Sequence, residues 1–172
     1  MISITLPFNK ALFIKANKLR FRLENKNSFF WLFLYIIITV GLMILISFDK
    51  SPSSFYGIVG VILSVLTMNY IIRIINLRGV FLRKIELVGE KYENLNFTFT
   101  FEFNDEDFTY IDDEKKFQVK WKALSGYSIK KDYFILFIDK KIYSMLHRSE
   151  VSFEQFNEII ELSKSKLSYF NI

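Results

Sequence analysis

The chain has 172 residues, 51% of them hydrophobic and 18% aromatic, with a formal net charge of +5, one histidine and no cysteine. Without cysteine it can form neither a disulfide framework nor a thiolate metal site, and one histidine cannot build a multi-histidine centre. No metal or cofactor is expected.

Ile2–Leu6 reads as a short strand. After it, Phe8, Leu12, Leu19 and Leu23 recur near helical spacing with Ala16 between them and basic residues elsewhere on the wheel. That pattern suits an amphipathic helix lying in a membrane interface, a helix packed on a soluble domain, or both at once. Residues 1–28 are set apart as this N-terminal segment.

Two uncharged apolar runs follow, Phe29–Phe48 and Phe55–Ile72, divided only by Asp49-Lys50-Ser51-Pro52-Ser53-Ser54. A bilayer core about 30 Å thick needs about 20 apolar residues at roughly 1.5 Å rise each, so both runs can span it as a hairpin within residues 29–75. The first holds fourteen Leu, Ile, Val or Phe in twenty residues, the second ten in eighteen, so the second inserts less strongly and gains from a partner. Gly60 and Ser64 form a small-xxx-small pair expected to seat against the first helix near Gly41. A homo-oligomer built on Gly57, Gly60 and Ser64 is the alternative. Asn69, at the headgroup end, is expected to be solvated. The first run is too long for a signal-peptide core and lacks an A-x-A-like site, so no cleavage is expected.

Lys10, Lys15, Lys18, Arg20, Arg22 and Lys26 precede the hairpin, Arg73, Arg78, Arg83 and Lys84 follow it, and the loop offers Lys50. The positive-inside rule then puts both termini in the cytoplasm. Residues 1–84 hold eleven Lys and Arg against Glu24 and Asp49, while residues 85–172 hold twelve against sixteen acidic groups. Anionic lipid headgroups are the natural partner of the basic half, and no nucleic-acid binding is expected of the acidic one.

From residue 80 to 172 the pattern is that of a soluble domain. Leu95, Phe97, Phe99, Phe101 and Phe103 alternate with polar residues, a strong strand signal. Strands are also expected at Phe81–Val88, Phe108–Ile111, Phe117–Trp121, Gly126–Ile129, Tyr133–Ile138 and Ile142–Leu146, with charged turns at Lys130-Lys131-Asp132 and Asp139-Lys140-Lys141. Ser152-Phe153-Glu154-Gln155 fits a capping box opening a helix whose stripe is Phe156, Ile159, Ile160 and Leu167. The fold class expected is therefore a membrane α-helical hairpin joined to a mainly-β, pleckstrin-homology-like domain of about seven antiparallel strands and a C-terminal helix. Gly89-Glu90-Lys91-Tyr92-Glu93, as the loop after the first strand, carries too little positive charge for phosphoinositides.

Val119-Lys120-Trp121, then the stretch from Ser128 to Ile138, then Met145-Leu146-His147-Arg148 before Phe153 keep the order and spacing of three family motifs. On them the chain resembles the YcxB-like bacterial membrane proteins over nearly its whole length. It departs at the last motif, where Leu146 and His147 stand in place of the usual Pro and Lys. The resemblance implies a bacterial inner-membrane protein with a pleckstrin-homology-like cytosolic domain and no assigned biochemical activity.

Candidate sites are few. Asp105, Glu106, Asp107, Asp112, Asp113 and Glu114 are expected to be two solvated turns rather than a cation site. His147 is expected at a strand end, and Glu154 and Glu158 on a solvated helix face. Trp121, Tyr127, Tyr133 and Tyr143, with Arg148, are protein-interaction candidates, set against the simpler role of filling a small core. With no activated nucleophile or acid/base pair, the expected function is a non-enzymatic, membrane-anchored binding module for a membrane or membrane-proximal protein. The alternative is an immunity protein against a membrane-active toxin.

Overall fold

The computed structural model describes residues 1–48 and 55–172; residues 49–54, expected to connect the two spans and including Lys50, lie outside the described residues. The elements are β1 (Ile2–Pro7), α1 (Lys10–Glu24), α2 (Lys26–Phe48), α3 (Phe55–Asn94), β2 (Thr98–Phe103), β3 (Asp107–Asp112), β4 (Lys116–Lys120), β5 (Gly126–Lys130), β6 (Tyr133–Ile138), β7 (Lys141–His147) and α4 (Phe153–Lys166). They form two compact units, Asn25–Lys84 and the combination of Met1–Glu24 with Ile85–Ile172.

The helical unit holds α2 and most of α3. Both helices are long and apolar enough to cross a membrane. Phe33, Leu45, Val61 and Leu66 are among the many large side chains that both turn outward. The two helices meet antiparallel. A Cβ on Gly60 would stand 2.5 Å from Ile46 Cδ1, the Thr39 and Thr67 hydroxyls hydrogen-bond at 2.9 Å, and the rings of Tyr35 and Tyr70 lie 6.0 Å apart. Gly60 therefore does admit the first helix, but it faces Ile46; Gly41 has open space around its Cα. Gly57 is buried, and the Ser64 hydroxyl turns back to donate to the Gly60 carbonyl at 2.7 Å. Asn69 is exposed. Polar contacts across the two helices include the Thr39–Thr67 pair, which gives both hydroxyls a partner, and the Tyr70 hydroxyl, which donates to the Ser28 carbonyl at 3.4 Å.

Residues 81–88, expected as a strand, are helical because α3 runs on to Asn94. Leu, Arg, Lys and Glu favour helix there, and Ile85 and Gly89, four apart, are buried on one face while Glu86, Leu87 and Glu90 are exposed. Gly89 lies against α1: a Cβ there would meet Lys10 Cγ at 3.3 Å, and Lys10 pairs with Glu93 at 3.3 Å and Glu90 at 3.7 Å. Residues 89–93 are thus helix, not the inter-strand loop expected to meet a headgroup. The helix ends in a Schellman motif, with Asn96 left-handed at φ 48°, its N–H on Glu93 O and the Phe97 N–H on Tyr92 O, each at 3.1 Å. This cap removes Leu95 and Asn96 from the strand that alternation alone suggests.

The β unit has seven strands, with Ile2–Pro7 in the place expected of residues 81–88. They form two antiparallel sheets, β1-β2-β3-β4 and β5-β6-β7. One core lies between them, with Ile4, Leu6, Phe101, Phe103 and Phe108 from the first sheet meeting Tyr127, Phe134, Leu136 and Leu146 from the second. Phe156 and Ile159 of α4 join that core. The α4 capping box is formed as its spacing predicts, Ser152 Oγ accepting from Gln155 N and Gln155 Oε1 from Ser152 N, both at 3.2 Å. The other face of the second sheet, Tyr133, Ile135, Phe137 and Ile142, packs with Leu19 of α1. Of the two roles open to the N-terminal helix, packing on the β domain is the one seen. It also explains why β6, Tyr-Phe-Ile-Leu-Phe-Ile, is apolar on both faces: both are covered.

The turns Lys131-Asp132 and Asp139-Lys140 are two-residue hairpin loops with φ of 51°, 64°, 48° and 64° in that order. Positive φ at both positions is the type I′ geometry that matches strand twist, and glycine is favoured at the second. Lys140→Gly is accordingly expected to stabilise the β unit by about 0.5–1 kcal/mol by relieving the left-handed Cβ clash. A rise in its denaturation midpoint checks this, and a fall would mean the turn is not strained at that residue.

Candidate functional site

A cavity of about 430 Å³ opens in the β unit. Its walls come from elements distant in sequence. Phe99 and Phe101 of β2, Phe108 and Tyr110 of β3, Phe117 of β4, and Tyr143 and Met145 of β7 supply the sheet side. The helical side has Phe13, Ala16, Asn17 and Arg20 of α1 and Tyr92 of α3. Tyr92 stacks on Phe97 at 4.5 Å between ring centres, and Phe8 and Phe13 lie within 5.3 Å of each other beside it. Period-two alternation puts the β2 phenylalanines on this side, and α1 closes over them because Leu19 is anchored beneath the second sheet.

The cavity is apolar with a small polar complement. Arg20 and Lys115 contribute positive charge, Asn17, Ser144, Tyr110 and Tyr143 neutral polar groups, and no Asp or Glu lines the wall. Arg20 engages Glu24 through Nε at 2.9 Å, and Lys115 stands 3.9 Å from Asp112 and 5.6 Å above the Phe117 ring. Burial, reinforced by the Asp112 carboxylate, holds the Tyr110 phenol far above its ordinary range, and burial alone raises Tyr143. Both hydroxyls therefore remain protonated, neutral donors at physiological pH. Ser144 has no imidazole or carboxylate beside it in the wall that could activate it as a nucleophile.

Of the aromatic residues singled out from sequence, Trp121, Tyr127 and Tyr133 are each 5% exposed and belong to the interior, not to a surface. Trp121 Nε1 donates to the Asn104 carbonyl at 2.8 Å. Tyr143 reaches the cavity, while Arg148 is exposed and stacks over the Phe153 ring at 5.1 Å. His147 closes β7, its Nδ1 accepting from the Ser149 N–H at 3.1 Å. Glu154 and Glu158 are exposed.

The acidic cluster divides. Asp105, Glu106, Asp113 and Glu114 are exposed, but Asp107 and Asp112 are buried. Asp112 Oδ1 accepts the backbone N–H groups of Glu114 and Lys115, each at 2.9 Å, so it shapes its turn from within. Asp107 accepts from the Asn104 side chain at 2.9 Å and from Gln118 at 2.6 Å. No three metal-ligating side chains converge among the described residues. The hydrogen bonds from Asn104 and Gln118 hold the Asp107 carboxyl below its ordinary 3.8. A depressed folded-state value means stabilisation that is complete at neutral pH and lost as the pH falls through it. The stability gap between wild type and Asp107→Asn should therefore narrow as the pH is taken below 3.8; a gap constant with pH would show that the charge contributes nothing.

The sequence reading missed Phe8, Phe13, Arg20 and Lys115 as neighbours of the β2 aromatics. A usable signal was the fully apolar β6, which requires cover on both faces and so calls the N-terminal helix onto the sheet. Comparison with known protein families, curated proteins and solved structures finds no match to this chain.

Proposed function

We propose that this protein is a membrane-anchored binding module of the YcxB-like kind. In this reading, α2 and the apolar part of α3 form a hairpin in the bacterial inner membrane with both termini cytoplasmic, and the β unit is a pleckstrin-homology-like domain at the cytosolic face. The outward apolar side chains of both helices support the first part, since such a surface is costly in water. The exposed Arg73, Arg78, Arg83 and Lys84 suit anionic headgroups. Two antiparallel sheets of four and three strands with a C-terminal helix in their shared core support the domain reading, with α1 to α3 inserted between β1 and β2.

The observation that carries binding over catalysis is the cavity: aromatic walls, two cations and no group able to activate Ser144. Anchoring in the plane of the membrane raises the module's effective concentration toward a membrane or membrane-proximal protein. Crosslinking the tagged chain in native membranes at its normal level, followed by mass spectrometry, tests this. A reproducible protein partner is the expected result. Recovery of free monomer alone overturns it, and self-crosslinks alone replace it with a homo-oligomer.

A further inference from the structure

We propose that the aromatic cavity of the β unit binds the single chain of a fatty-acid anion, with its carboxylate taken by Arg20 or Lys115. Volume comes first. The cavity's volume of about 430 Å³ is of a size to take the bulk of one medium acyl chain. It also falls in the range of about 300–1,000 Å³ typical of sites for small molecules.

Wall chemistry then selects the occupant. Phenylalanine rings such as Phe99, Phe101 and Phe108 favour a chain without polar groups, because a ligand dipole among them would lose its hydrogen bonds to water. Aromatic walls alone would suit a cation, but the charges present are those of Arg20 and Lys115, with no carboxylate in the lining, which reverses the preference to an anion. Their side chains are 41% and 43% exposed, so a charged head held there stays at the wet edge while the chain lies against the aromatic walls. Each cation has one acidic neighbour, Glu24 for Arg20 and Asp112 for Lys115, and each keeps further N–H donors for a ligand. Arg20 uses Nε on Glu24 and keeps its terminal amino groups, and Lys115 is 3.9 Å from Asp112, beyond a normal hydrogen bond. Asp112 Oδ1 is filled by two backbone N–H groups, and its buried Oδ2 is the atom nearest Lys115.

The inference rests on the binding-module reading only for the supply of ligand, since an anchored module sits where fatty acids are dissolved. The test uses the full chain in phosphatidylcholine nanodiscs, with a diazirine-bearing myristic acid as probe and mass spectrometry to map the adducts. Adducts are expected on the cavity wall around Phe99, Tyr143 and Met145. They should fall about tenfold or more in Arg20→Gln/Lys115→Gln, the loss expected for a charge-assisted hydrogen bond, and the single variants assign the head. Both substitutions are at half-exposed positions. Adducts on the outward face of α2, from probe dissolved in the bilayer, should not change and serve as the standard. Ala16→Phe should block the cavity independently. Adducts confined to α2 and α3, equal cavity labelling by the matching diazirine alcohol, or full labelling of the double variant would each overturn the proposal. Loss of cavity labelling alongside a captured protein partner would remove the ligand and leave the anchored module standing.

Discussion

Phe103→Ala is expected to destabilise the β unit by about 3–5 kcal/mol, the cost of deleting a large ring from a core that cannot fully collapse. Phe103 is 1% exposed and touches both sheets: its ring centre lies 5.0 Å from Phe108 in the first and 6.2 Å from Phe134 in the second. Removing it opens a void at the junction that holds the two sheets together. Domains are stable by about 5–15 kcal/mol, so the variant should sit near its unfolding threshold. Trp121 is 5% exposed beside Asn104 and reports directly on this core. Denaturant titration of its fluorescence in a Trp31→Phe background measures the loss, Trp31 being the other tryptophan. Phe117→Ala is the control, because that ring is 48% exposed and should cost less than about 1.5 kcal/mol. Equal effects of the two substitutions would show that the sheets are not joined through Phe103.

Gly126→Val should release the C-terminal tail. A Cβ at Gly126 would lie 2.7 Å from the Ser168 carbonyl oxygen and 2.9 Å from the Phe170 ring, and a backbone oxygen cannot yield as a side-chain tip can. The tail is held there by Tyr127 N–H on Ser168 O at 3.0 Å and Phe170 N–H on Tyr127 O at 2.7 Å, and by Phe170 packing 5.5 Å from Phe137. Two backbone hydrogen bonds at about 1 kcal/mol each and part of one ring's burial put the expected loss at about 2–3 kcal/mol. Carboxypeptidase should then trim the last residues of the variant faster than those of the wild type. Unchanged trimming would mean that the tail does not depend on the space over Gly126. The contrast is Gly60, where the atom in the way is the mobile Cδ1 of Ile46 and a small substitution is tolerated more cheaply.

Features set by neighbours along the chain were legible before any coordinates. The Tyr133–Ile138 strand, the two charged hairpin turns and the Ser152–Gln155 cap each depend on a few adjacent residues, and each is found where its pattern lies. The departures have physical sources of two kinds, local caps and distant neighbours. Phe81–Val88 carries β-compatible residues, but α3 continues through it as helix, and just beyond it Gly89 is covered by Lys10 and Phe13 of α1. Leu95 continues the alternation of β2, yet the left-handed Asn96 sends the backbone elsewhere. Asp107 looks like a surface charge until Asn104 and Gln118 close over it. The candidate site was the least legible part. Tyr143 was noticed, but a wall that joins Arg20 of α1 to Lys115 of the β3–β4 turn has no local signature.

The two long apolar helices, the strand-rich C-terminal half, its hairpin turns and its closing helix follow from composition, period and turn chemistry, which act over a few residues. Long-range packing places the N-terminal strand at the edge of the first sheet, lays α1 over the second, and brings aromatic rings from distant segments around a cavity with two cations. Those outcomes depend on which apolar faces bury one another, a long-range choice that no window along the chain contains.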